Sequence, residues 1–226
     1  MNKEEFLRIA SENDDFAPGW DAIEQEFARI YPGQNPLHFG TDMHARAMFG
    51  GNQFLDGYSV YISDKGYMHI VTYGMTVLYV DENAFGGEWN GWGYEMTVKI
   101  KGTDPECCMW AINLMANLAR YTYVKKQPFA PMQRISGGGC ALDGSDSAIT
   151  ALLIVPDTEA NTLDTVYGQT EFLQLVGITE HDYQALRTEP RRVTELVERM
   201  KAENPDFVTD MKNGKSYLKD CGLRKL

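Results

Sequence analysis

The sequence predicts an α+β fold, an α/β sandwich in which a central mixed, largely antiparallel sheet is flanked by helices. Three observations point there. Residues 92–100, WGYEMTVKI, alternate so that Trp92, Tyr94, Met96, Val98 and Ile100 share one face and Gly93, Glu95, Thr97 and Lys99 the other, the pattern of a half-buried strand. Residues 105–124 follow with Asp104 as N-cap, Pro105 at the first helical position, and Cys107, Trp110, Ala111, Leu114, Leu118 and Tyr121 along one helical stripe. Residues 58–62 and 67–73 are β-rich runs flanking Ser63-Asp64-Lys65-Gly66, which predicts a hairpin and so antiparallel pairing.

From the N-terminus, residues 3–11 form a short first helix, and Trp20, Ile23, Phe27, Ile30 and Tyr31 give a second helix its apolar stripe before Pro32 and Gly33 end it. The chain is then turn-rich to Gly57. After the hairpin, residues 75–80 read as another short strand, and the acidic, glycine-rich loop 81–91 carries Phe85 and Trp89. Two prolines and the Gly137-Gly138-Gly139 run make 127–146 an irregular excursion. Residues 149–155 and 170–176 are apolar enough for central strands. Thr179 caps a helix to about Arg187, Val193, Leu196, Val197 and Met200 carry another to about Ala202, and the tail beyond Pro205 is expected to be peripheral.

With 226 residues, 43% apolar, the chain suffices for one well-buried domain. The expected organisation is an N-terminal helical extension at 1–16, the domain at 17–204 and a C-terminal tail at 205–226. No apolar run reaches the roughly 20 residues of a membrane span, and the opening MNKEEFLRIASENDD has no apolar signal core, so a cytoplasmic protein is expected. Cys107, Cys108, Cys140 and Cys221 have no CxxC spacing and suit free thiols in a reducing compartment. The formal charge of -11 argues against direct nucleic-acid binding, because the richest basic cluster is only Arg191 and Arg192 with Arg187 and Arg199 nearby. Two readings of the acidic surface stay open: solubility, or a docking face for a basic protein.

No catalytic set, metal site or cofactor is expected. His38, His44, His69 and His181 lack ligand spacing, and His69, in a strand, reads as a structural imidazole. Residues 136–140, SGGGC, lack both the Lys-Ser/Thr of a phosphate loop and a GxSxG elbow. Residues 143–147 resemble the start of a calcium loop, but Ala148 stands where glycine is needed. Glu95 sits among aromatic residues, and two readings stay open: a raised pKa suited to acid–base work, or a hydrogen-bonded structural role.

Five blocks together resemble a known family. They are APGWDAIEQEFARIYPGQNPLHFGT at 17–41, GGNQFLDGYSVYIS at 50–63, HIVTYGMTVLY at 69–79, the strand and helix at 91–124, and YGQTEFLQLVGITEHDYQAL at 167–186. These are similar to the suppressor of fused domain, with its GFGFELTFRL-type strand and LARYVF-type helix end. Met68 and Val77 depart from that pattern, which has Trp and Asp there.

The resemblance implies a central sheet with helices packed against it. For bacterial members it implies a non-enzymatic protein-binding module: an immunity protein that binds and neutralises a toxin of a polymorphic toxin system. The expected partner is a protein, such as a basic toxin domain, covered by an acidic face with Trp89 or Trp92 as anchor. Partner-binding residues are expected at Trp89, Asn90, Trp92, Glu95 and Asp143, on a monomer or weak homodimer. Two alternatives stand beside it. One is an enzyme or small-ligand-binding protein using Glu95 and the Asp143 region; the other is a regulator that sequesters a transcription factor. Animal members help clamp that ligand with a second, C-terminal domain, and this sequence ends at Leu226, so their Hedgehog-pathway role is not expected here.

Overall fold

A computed structural model describes residues 1–40 and 54–218. His44, Cys221 and most of the turn-rich stretch before Gly57 lie outside the described residues.

Eight strands form one sheet: β1 (Leu37–Gly40), β2 (Gly57–Ser63), β3 (Tyr67–Tyr73), β4 (Trp89–Lys101), β5 (Arg134–Ser136), β6 (Ile149–Pro156), β7 (Leu163–Thr165) and β8 (Gly168–Thr179). Their order is β1-β2-β3-β4-β8-β6-β5, with β7 paired to β8. Every pairing is antiparallel except that of β4 with β8, so the expected mixed, largely antiparallel sheet is what forms.

Five helices flank it among the described residues: α1 (Lys3–Glu12), α2 (Pro18–Ile30), α3 (Met109–Lys125), α4 (Glu180–Thr188) and α5 (Val193–Glu203). Helix α3 covers one face. Its Ala111–Ile112–Met115–Ala119 side, with Cys108 just before it, meets Met68, Ile70, Met96, Val98 and Leu175 of the sheet. On the opposite face, Ile23 and Phe27 of α2 pack on Tyr61, Val71 and Phe172, while Leu186 of α4 and Leu196 and Met200 of α5 pack on β6 and β8. The expected stripe on α3 is therefore rotated. Ala111 and Leu118 are buried as expected, but Cys107 and Tyr121 are exposed, because the denser apolar row one residue away takes the sheet.

Three further expectations change. Strand β4 is buried on both faces from Gly93 to Ile100, not half-buried, because α2 and the 157–161 segment cover its polar side. Residues 75–80 are not a strand: the amides of Met75, Thr76 and Val77 are taken by side chains of β4, described below. Residues 206–218 are not peripheral, since Phe207 and Leu218 are buried under α5, Lys101 N donates to Thr209 O and Thr209 N donates to Lys99 O.

Hydrogen-bonded caps fix the helix starts. Asn2 Oδ1 accepts from Glu5 N at 2.9 Å, Asp104 accepts from Glu106 N in the 3-10 turn Pro105–Cys108 that leads α3, and Thr179 Oγ1 accepts from Asp182 N. Helix α2 has no side-chain cap. Its Gly19 and Trp20 amides instead donate to Leu78 O at 3.0 and 3.3 Å, which docks its N-terminus on the loop before β4.

Candidate functional site

The polar side of β3 and β4 is an interior surface. Glu95, fully buried, receives five hydrogen bonds. Its Oε1 accepts from Gly74 N (3.1 Å), Thr76 N (2.9 Å) and Thr76 Oγ1 (2.7 Å), and its Oε2 from Thr72 Oγ1 (2.6 Å) and, more weakly, Met75 N (3.3 Å). Burial drives this carboxyl upward, and the bonds from Thr72, Thr76 and Gly74 only partly offset it, leaving it pushed up to about 7. Asn90, also buried, extends the clamp by accepting from Val77 N at 2.8 Å and facing Val77 O at 3.4 Å. Together these two side chains hold residues 74–77 against β4.

Further along the same face lies an ionic cluster. His69 Nε2 meets Asp157 Oδ2 at 2.9 Å, and His69 Nδ1 meets Tyr31 OH at 2.9 Å. Lys99 Nζ stands 3.3 Å from Asp157 Oδ1 and 3.0 Å from Glu159 Oε2, and donates to Thr158 Oγ1 at 2.6 Å. Burial pushes the Asp157 carboxyl up, but the charges of His69 and Lys99 and the bonds from His69 and Thr97 outweigh it and hold it well below the usual carboxylate range. The cluster ties the segment between β6 and β7 to the sheet and to α2. His69 is thus the satisfied imidazole the sequence suggested, while the partnership of Lys99, Asp157 and Glu159 is invisible in spacing because it joins three separate elements.

One group of exposed apolar side chains lies at the N-terminal ends of β4 and β8. Trp89 is 47% exposed, its ring beside Gly93, and Tyr79 (47%) and Val80 (40%) project from the clamped loop. Tyr167 OH donates to Tyr79 O at 2.7 Å, joining the loop to β8. Helix α1 closes against the same end through Phe6, whose ring centroid is 5.0 Å from that of Phe85 and 6.0 Å from that of Tyr167. Charge concentrates there. Residues 1–20, up to the start of α2 docked on Leu78, and residues 79–92 hold eight acidic and two basic side chains, -6 of the chain's formal -11, with Lys126 beside Trp92 as a basic neighbour.

Of the residues singled out in the sequence, Trp89 alone is freely exposed at this end. Asn90 and Glu95 support it from inside. Trp92 is half-buried, edge-on to Tyr123 with centroids 5.4 Å apart and with Lys126 Nζ 5.5 Å from its ring. Asp143 lies elsewhere, its carboxylate accepting from Ser145 N and Oγ within its own turn. Trp89 pairs with Gln169 near the start of β8, whereas Ile149, just beyond that turn, pairs with Thr179 at its end. Ten residues of strand put the two sites roughly 30 Å apart. Glu95, opposite Phe172, is seven strand residues from Thr179, roughly 23 Å, so it and the Asp143 region do not form one site. Tyr79 and Val80 were hidden in the sequence inside an apparent strand.

An open groove of about 780 Å³ runs between α3 and β5 and is lined by Tyr121, Phe129, Met132 and Arg134 among others. Ile154 N donates to Gln133 O and Gly137 N to Thr150 O, so alternation turns the Arg134 and Ser136 backbone toward the sheet edge.

Among the described residues no group of three His, Cys, Asp or Glu could hold a metal ion, and no helix is long and apolar enough to cross a membrane. Cys107, Cys108 and Cys140 are free thiols.

Residues 51–212 match the family described as suppressor of fused protein (SUFU). The chain belongs to the suppressor of fused family. It is 30% identical over 216 residues to the human suppressor of fused homolog, an alignment that covers 88% of this chain and 44% of the human one. It thus spans less than half the length of that relative. The chain solved in a Sufu–Fu complex superposes with a TM-score of 0.75 at 25% identity, covering 89% of this chain and 93% of that one. A SUFU homolog from Neisseria gonorrhoeae shares the fold, with a TM-score of 0.60 at 14% identity and coverage of 89% and 97%.

Proposed function

We propose that this suppressor of fused domain is a non-enzymatic protein-binding module that receives a basic partner on the acidic end of its sheet, with Trp89, Tyr79 and Val80 as the apolar centre of the contact. The observation that carries this reading is the coincidence of three exposed apolar side chains with most of the chain's negative charge. Aromatic anchors ringed by charge combine a desolvated centre with steering of an oppositely charged partner. The finer reading is an immunity protein: the partner is a basic toxin domain, and covering its active site neutralises it.

The test is a binding and inhibition assay with basic toxin domains encoded in the same cell. Binding that weakens as salt rises, together with loss of toxin activity, supports the proposal. If none of those domains is bound or inhibited, the immunity reading fails. A second reading, in which an extended segment of a partner adds to the outer edge of β5, is favoured by the apolar groove beside that edge. It predicts that Tyr121→Ala, not Trp89→Ala, abolishes binding.

A further inference from the structure

We propose that Trp20, His38 and Tyr79, with the carboxylates of Asp21 and Glu24, form a seat for an arginine side chain. That the arginine belongs to the basic partner rests on the reading given above, and it would fix that partner's register against the Tyr79 and Val80 surface. The seat itself is a property of the free protein.

Aromatic rings gather where the N-terminus of α2 meets β1, β3 and the loop before β4. Trp20 stacks on Tyr73 with centroids 4.3 Å apart, and its ring lies 5.2 Å from that of His38 and 6.4 Å from that of Tyr79. Tyr73 is buried and forms the floor; Trp20 is half-buried, and His38 and Tyr79 are exposed. A cation outside Trp20 can stand within about 6 Å of both the Trp20 and Tyr79 centroids, the range over which the ring quadrupoles attract it. Packing on Tyr73 explains one face of the indole. It does not explain the carboxylate held at the indole edge, where Trp20 Nε1 donates to Glu24 Oε1 at 2.8 Å.

What these rings and carboxylates lack is positive charge. Asp21 and Glu24 stand one turn apart on the exposed side of α2, and among the described residues neither is in an ion pair. Glu26 of the same helix, by contrast, is bonded to Arg29 at 2.6 Å. Burial and the Glu24 charge push the Asp21 carboxyl up. His38 does not supply the charge: its Nδ1 meets Ser59 Oγ at 3.1 Å, and burial pushes the imidazole below its ordinary value, so it is mainly neutral at pH 7. The Gly19 and Trp20 amides donate to Leu78 O, so the positive end of α2 is already occupied and does not answer the carboxylates. A guanidinium suits this arrangement better than an ammonium. It is planar and weakly hydrated, so it stacks on an indole while its N–H fork reaches Glu24 Oε2, the oxygen that Trp20 leaves open.

Titrating the ¹⁵N-labelled full chain with a blocked Gly-Arg-Gly peptide tests the seat without any partner protein, read on the indole N–H resonances of the four tryptophans. The Trp20 resonance, assigned from Trp20→Phe, is expected to shift saturably, and the same peptide with neutral citrulline in place of arginine should leave it unmoved. Glu24→Gln keeps an acceptor for the indole N–H and removes the charge, so the arginine peptide should bind about tenfold more weakly at an unchanged melting temperature. Tyr79→Ala should weaken it in the same direction. No shift with the arginine peptide, an equal shift with citrulline, equal binding of a lysine peptide, or unaltered affinity in either variant overturns the proposal. Failure to find a basic partner would leave these shifts standing, and a seat that takes no arginine would leave docking on Trp89 intact.

Discussion

Asp157 Oδ2 stands 2.9 Å from His69 Nε2 and 2.6 Å from Thr97 Oγ1, with the Asp157 and His69 side chains fully buried. One carboxylate thus anchors the 157–161 segment to two strands, and its other oxygen faces the buried Lys99 ammonium. Removing it leaves that ammonium with Glu159 as its remaining acidic partner. Asp157→Ala is expected to cost about 3–5 kcal/mol in urea unfolding. A loss below about 1 kcal/mol would show that the cluster relaxes or hydrates freely.

The same carboxyl sets a pH dependence of stability. Asp157 is held below its unfolded value of about 4, so the unfolded chain binds the proton more tightly and acid favours unfolding. Its contribution is complete above about pH 4 and declines progressively below. Urea midpoints measured from neutral pH downward should fall steeply in the wild type and less steeply in Asp157→Asn.

Trp89→Ala should leave the fold untouched, because the ring is 47% exposed and contributes no core cluster. Partner affinity is expected to drop by at least about 2 kcal/mol, roughly thirtyfold, the size of a central anchor. Unchanged affinity with an unchanged melting temperature would remove Trp89 from the interface.

Gly19→Ala probes the docking of α2 on the loop. A Cβ there would lie 2.0 Å from Val77 O, a backbone atom that cannot swing aside. The expected cost is about 1–3 kcal/mol, accompanied by loss of exchange protection at Gly19 and Trp20. Wild-type stability would mean that the helix start shifts without penalty.

Much of this architecture is legible in the sequence because local rules and burial agree. Thr179 reads as a cap and is one; the run 67–73 reads as a hairpin strand and pairs with β2 across the Ser63–Gly66 turn. Residues 75–80 mislead because MTVLYV has the composition of a strand, yet its first three amides are consumed by Glu95 and Asn90, which no local window reveals. Lys99 misleads in the other direction. A lysine in an alternating strand reads as solvent-facing, and only the return of Asp157 and Glu159 from some sixty residues downstream makes its burial tolerable. The short strands β1, β5 and β7 carry too few residues to show a period. At the candidate site, Trp89 stood out by being an aromatic residue in an acidic loop; Tyr79 and Val80 did not, because their exposure depends on the clamp.

The parallel pairing of β4 with β8 divides the sheet along the chain. Strands β1 to β4 are successive antiparallel neighbours, and β5 to β8 assemble among themselves, so every other ladder is closed by residues within one half. Local ladders close with little loss of chain entropy, whereas the central one must bring together segments more than seventy residues apart. Chain entropy thus favours forming the two half-sheets before their seam, an order in which the buried His69–Asp157 and Lys99–Glu159 contacts, which straddle the two halves, would close last.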